Sequence, residues 1–138
     1  MARAAQRVVA WEGAHAARLD VALLPPAAMR RLNRRAFGRR RLTDVIAFAL
    51  PQPDGRVVGD IYICPDLAAR NAAGSSAGEA AGVRAELIRL VVHGTLHVLG
   101  YDHPAGRGRT RSAMWRRQER YVQRLLGSAG RSRKERTR

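Results

Sequence analysis

Cysteine is nearly missing from this chain: Cys64 is the only one in 138 residues, which excludes an internal disulfide framework, and no disulfide-linked partner is expected. A single thiol suits a reducing compartment. Aromatic residues are only 5% of the total, so a core must come mainly from Ala, Val, Leu and Ile. The same scarcity argues against an RNA-binding sheet paved with stacking rings. Acidic residues number 11 against 26 basic ones, and of those basic residues only Lys134 is a lysine. No apolar run approaches the roughly 18 residues of a membrane span. The start, MARAAQRVV, lacks the long apolar stretch of a secretory signal. A soluble cytoplasmic protein with no membrane partner is expected, built as one domain with a sizeable core.

What is present in excess is positive charge, +15 in total, and it is unevenly placed. Residues 107–138 hold 12 Lys and Arg against two acids. A second block, Arg30, Arg31, Arg34, Arg35, Arg39, Arg40 and Arg41, contains no acid at all. Such blocks attract polyanions through counterion release, nucleic acid first among them. The end, GSAGRSRKERTR, reads as a solvated tail, giving a domain over residues 1–126 and a basic, disordered tail over 127–138.

Residues 6–11 (QRVVAW) and 18–24 (RLDVALL) read as short strands with a turn between them. Pro25 and Pro26 open a helix reaching Ala36, with Ala28, Met29, Leu32 and Ala36 at helical spacing and Gly38 closing it. Residues 43–50 and 57–63 are the best strands, and the PQPDG between them suits an antiparallel hairpin. A short helix from Pro65 leads into a loop, NAAGSS, over residues 71–76. Ser76 and Glu79 fit a capping box for a helix that Gly100 stops, apolar nearly all round over residues 87–99 and therefore central. A last amphipathic helix spans about residues 111–126. The expected fold is α+β: a small mixed sheet of about four strands packed by helices around a central metal-binding helix, in a zincin-like arrangement.

The chemistry is concentrated in that helix. Three of four histidines, His93, His97 and His103, fall within HGTLHVLGYDH. His93 and His97 are four apart, hence one turn above each other on one face, where two imidazoles converge on one ion. Gly100 lets the chain turn so that His103 swings back as a third ligand. Three neutral imidazoles leave one tetrahedral position open for water, the pattern of a catalytic zinc site. The metzincin signature HExxHxxGxxH shares the spacing, but its general-base Glu is replaced here by Gly94, which disfavours peptide hydrolysis. A glycine inside a helix costs roughly 1 kcal/mol relative to Ala, so something bulky or another backbone should approach there.

HGTLHVLGYDH resembles the HGxLHLxGYDH hallmark of the YbeY endoribonuclease, or rRNA maturation factor, family of bacteria. Leu32-Asn33 before a basic turn, TDVIAF (Thr43 to Phe48), VGDIYIC (Val58 to Cys64), Met114 and Glu119 are similar to further family positions in the same order. The resemblance implies that His93, His97 and His103 bind one Zn²⁺. It also implies an endoribonuclease acting on rRNA at the small-subunit 16S 3′ end and in ribosome quality control, with rRNA and the small subunit as partners. The chain departs from the family at Phe37, where an Arg is usual, and at Ala49, where a Pro is usual. EGAHAA also leaves no room for the family's helix between its first two strands.

On that reading metal-activated water attacks the phosphodiester of single-stranded RNA. Arg35, Arg39, Arg40 and Arg41 are the candidates for clamping the RNA backbone, with Arg35 or Arg39 standing in for the arginine missing at Phe37. Asp102 and Asp44 are candidates for orienting an imidazole. Glu86, on the His93 face, is expected to pair with an Arg rather than to shuttle protons. No residue is assigned as general base. A function of another class, a non-catalytic zinc-stabilised rRNA-binding assembly factor, fits the same features.

Overall fold

The computed structural model describes residues 1–74, 78–103, 108 and 112–135. The first element is a helix, α1 (Ala2–Trp11), where a strand was expected over residues 6–11. Val8 and Val9 favour extended chain on local propensity. Ala5, Val8 and Val9 nevertheless fall at i, i+3 and i+4, and all three are buried, so packing of a helical face overrides propensity. The expected count of four strands falls with it: the described sheet has three.

These are β1 (Ala16–Leu23), β2 (Val45–Ala49) and β3 (Val57–Ile63), in the order β1-β3-β2. β3 lies central, parallel to β1 (Val21 opposite Ile61) and antiparallel to β2 (Ala47 opposite Ile61). Its alternation directs Gly59, Ile61 and Ile63 to one face, all buried. Between β1 and β2 runs α2 (Pro26–Phe37), started by proline in its first turn and ended at Gly38. Met29 and Leu32 of α2 pack with Ile46, Phe48 and Tyr62, forming a small core of their own that includes the buried Cys64. α3 (Pro65–Ala72) follows β3.

α4 (Glu79–Val98) is the central helix, and every residue from Leu90 to Leu96 is buried. Leu90, Val91 and Val98 join Ile61, Ile63 and Leu19 of the sheet. Ile88, Val92 and Leu96 instead join Val8 of α1 and Met114, Val122 and Leu125 of α5 (Ala113–Glu135). Opposite faces of α4 are thus covered by different layers, which explains its apolar circumference. Gly78 is the residue before α4, with no side-chain cap; the expected cap Ser76 lies outside the described residues. α5 does not end near residue 126 but continues through Glu135, across most of the segment read as a disordered tail. No proline interrupts it, and Ser128 is held by a hydrogen bond from Arg7 (2.9 Å). Among the described residues no helix is long and apolar enough to cross a membrane.

The glycine at position 94 has the reason expected of it. A β-carbon there would meet Ile61 Cγ2 at 2.7 Å and Val45 Cγ2 at 3.4 Å, so its absence lets α4 settle onto β3 and β2. That close approach sets the histidines at the edge of the sheet.

Candidate metal centre

His93 and His97 project from the last two turns of α4, and a helix stop built from specific bonds brings His103 to them. Gly100 N–H donates to His97 O and Tyr101 N–H to Leu96 O, both at 3.0 Å, with Gly100 at φ +99°. This paired pattern is the Schellman stop, which requires the left-handed residue that glycine supplies. The chain reverses, and three imidazoles face one another. Ring centroids lie 4.6 Å apart for His93–His97 and 5.1 Å for each pair with His103. One ligand atom from each falls within 4.8 Å of the others.

The tautomer of His93 follows from a chain of hydrogen bonds. The carboxylate of Glu119 only accepts, so Gln118 turns its Nε2 amide to Glu119 Oε1 (3.2 Å). That leaves Gln118 Oε1 toward His93 Nδ1 at 2.7 Å, and Nδ1 must carry the proton. His93 Nε2 therefore presents a lone pair, 3.1 Å from His97 Nε2. An imidazole oriented through its other nitrogen is the usual build of a metal-binding histidine. Gln118 is fully buried, and Glu119 is held by Arg89, which also binds Glu86 (2.9 Å). The hydrogen bond with Glu119 raises the Arg89 pKa further above its ordinary value. Glu86 thus pairs with an arginine, as expected. Gln118 was not anticipated; its signal is a polar residue on the apolar stripe Met114, Gln118, Val122, Leu125.

A second anchor holds the segment leading to His103. Glu12, just past α1, accepts from Tyr121 Oη (2.6 Å), Tyr101 Oη (2.8 Å) and Arg117 (3.0 Å). Burial alone would raise its pKa, but the bonds from Tyr121, Tyr101 and Arg117 outweigh burial and hold it below the ordinary value. α1, α5 and the exit of α4 are tied together at one carboxylate.

The histidines open onto a cleft of about 570 Å³ that Arg39, Arg41, Thr43 and Asp44 also line. Asn33, 2% exposed, donates to Arg41 O at 2.8 Å and so fixes the basic turn over the cleft. Phe37 lines the cleft too; it stacks on Phe48 and carries the Arg39 guanidinium 5.6 Å from its centroid. Arg39 and Arg41 therefore reach the cleft, whereas Arg35 and Arg40 are exposed and do not line it. Asp102 lines it and accepts from the His103 backbone N–H (2.8 Å). Asp44 accepts from Asn71 Nδ2 (3.1 Å).

Residues 1–126 match the family model described as Endoribonuclease YbeY. A Chlorobium phaeovibrioides protein named Endoribonuclease YbeY is 36% identical, covering 98% of this chain and 86% of its own. A Mycolicibacterium gilvum protein of that name is 41% identical over 99 residues, covering 64% of this chain. The chain spans about half the length (53%) of that second relative. A solution structure of a Thermotoga maritima protein superposes with a TM-score of 0.64 at 30% identity, covering 94% of this chain and 81% of that one.

Proposed function

Because the chain belongs to the YbeY endoribonuclease family, we propose that it is a zinc-dependent, single-strand-specific endoribonuclease of the cytoplasm, acting on rRNA at the small-subunit 16S 3′ end. The observation that carries this reading is the convergence of His93, His97 and His103 beneath a cleft walled by Arg39 and Arg41. Three imidazole nitrogens with no carboxylate or thiolate suit a borderline divalent ion such as Zn²⁺. When bound, the ion supplies Lewis acidity at a phosphodiester and acidifies a water.

The chain's own residues do the rest. Gln118 holds His93 Nδ1–H and so keeps its Nε2 available to the ion. Arg39 and Arg41 neutralise the phosphates flanking the scissile bond and offset charge that develops during cleavage. Phe37, stacked on Phe48 and lying under the Arg39 guanidinium, holds that cation at the cleft. Asp44 and Asp102 sit at the cleft within the polar surroundings of the imidazoles.

The test is cleavage of purified rRNA by protein freed of contaminating nucleases, beside a His97→Ala variant of matched folded stability. Metal-dependent cleavage by the first alone supports the reading. Equal cleavage by both would contradict a role for the histidine site in the reaction, and cleavage by neither with RNA binding intact would leave a non-catalytic rRNA-binding factor instead.

A further inference from the structure

The strongly basic α5 has no part in the cleft, yet the surface connects the two. The histidine cleft shares His93 and Asp44 with a neighbouring groove of about 380 Å³, floored by Leu90 and bounded by Arg89, Gln118 and Trp115. Trp115 in turn forms a wall of a third, shallower depression of about 870 Å³ along α5, which Arg116, Arg120 and Arg124 line. The three hollows adjoin one another at shared residues, in the order histidines, Trp115, arginines.

The chemistry along that path suits one occupant. Trp115 sits in the first turn of α5, where Ser112 Oγ accepts its backbone N–H at 3.1 Å, and its ring is only part-buried. A fixed, accessible indole is the sequence-tolerant platform on which unpaired bases stack. Positions 116, 120 and 124 recur every four residues, one per turn, so their guanidinium groups form a rail along one face of α5, and all three are exposed. Arg124 also lies 3.9 Å from the Trp11 centroid, a contact that orders it and keeps its charge. Of the acids along the path, Glu86 and Glu119 are paired with Arg89, Asp44 accepts from Asn71 and Asp102 accepts from the His103 backbone N–H.

We propose that single-stranded RNA leaving the histidine cleft passes His93, stacks a base on Trp115 and lays its phosphates along Arg116, Arg120 and Arg124. This rests on the ribonuclease reading for the strand's origin at the cleft. It adds a contact remote from the reacting phosphate, which makes binding depend on RNA length.

The test measures binding without cleavage, in a His97→Ala, Trp11→Phe background in which Trp115 is the only tryptophan. Oligouridylates of about 4 and about 12 nucleotides are titrated while tryptophan emission is followed. The longer strand is expected to bind at least about tenfold more tightly and to quench Trp115. Trp115→Leu should remove about tenfold from the longer strand alone, and Trp115→Phe should restore most of it. Changing Arg116, Arg120 and Arg124 together to Gln keeps the core intact and should lower the salt slope by about 2. Equal affinity for both lengths, no quenching, or an unchanged slope would overturn the path, including the case in which α5 docks an acidic protein instead. Failure of the ribonuclease reading would appear separately, as absent cleavage by the unmodified chain.

Discussion

His93 Nδ1 and Gln118 Oε1 lie 2.7 Å apart between α4 and α5, both residues almost fully buried. The bond fixes which nitrogen of His93 faces His97 and His103. Gln118→Leu fills the volume but leaves the imidazole free to rotate and to change tautomer. We expect metal affinity to fall about 10- to 100-fold, measured by competition with a chromophoric chelator, while Gln118→Glu, which still accepts from Nδ1, should lose less.

Gly94 faces Ile61 Cγ2 closely enough that any β-carbon must displace it. Gly94→Ala gains helix propensity but overpacks the α4–β3 contact, and the net should be a loss of about 1–2 kcal/mol in urea unfolding. Ile61→Ala is destabilising alone, yet in the double variant the Gly94 penalty should vanish. Simple additivity of the two would contradict the steric explanation.

Glu12 gives a pH dependence with a definite sign. Its folded pKa lies below the ordinary 4.5, so it adds stability that is complete above that value and disappears as pH falls through the folded pKa. Glu12→Gln should therefore be less stable near neutrality and show a flatter loss of stability under acid, read from urea midpoints between about pH 3 and pH 7. Because Tyr101 hangs from the same carboxylate, the variant should also hold metal more weakly through His103.

Of the four arginines singled out on sequence, the cleft is lined by Arg39 and Arg41. Arg39→Glu and Arg41→Glu should each weaken RNA binding and reduce its salt slope by about 1, with smaller effects at Arg35 and Arg40. Matching effects at all four positions would mean that only the overall charge matters.

The histidine triad was legible because its determinants are local. The four-residue spacing of His93 and His97 and the turn at Gly100 lie within eleven residues of chain. The burial of α4 and the β2–β3 hairpin were legible for the same reason. Gln118 and Glu12 act across separations of 25 and of 89 to 109 residues, so their roles exist only once α1 and α5 have packed on α4. The segment QRVVAW misled because its β-branched pair speaks for a strand locally, whereas the burial of Ala5, Val8 and Val9 is a helical pattern that starts further upstream. At the other end, composition suggested a tail from residue 127, but a helix already anchored by Leu125 continues when nothing stops it.

The most direct test of the account is elemental analysis of the purified chain, with single variants His93→Ala, His97→Ala and His103→Ala that retain the helical content of the parent. The account predicts about one zinc per chain, lost or greatly weakened in all three variants. A chain that takes up no divalent metal under any condition, or that keeps its zinc when two of the three histidines are replaced, would contradict it.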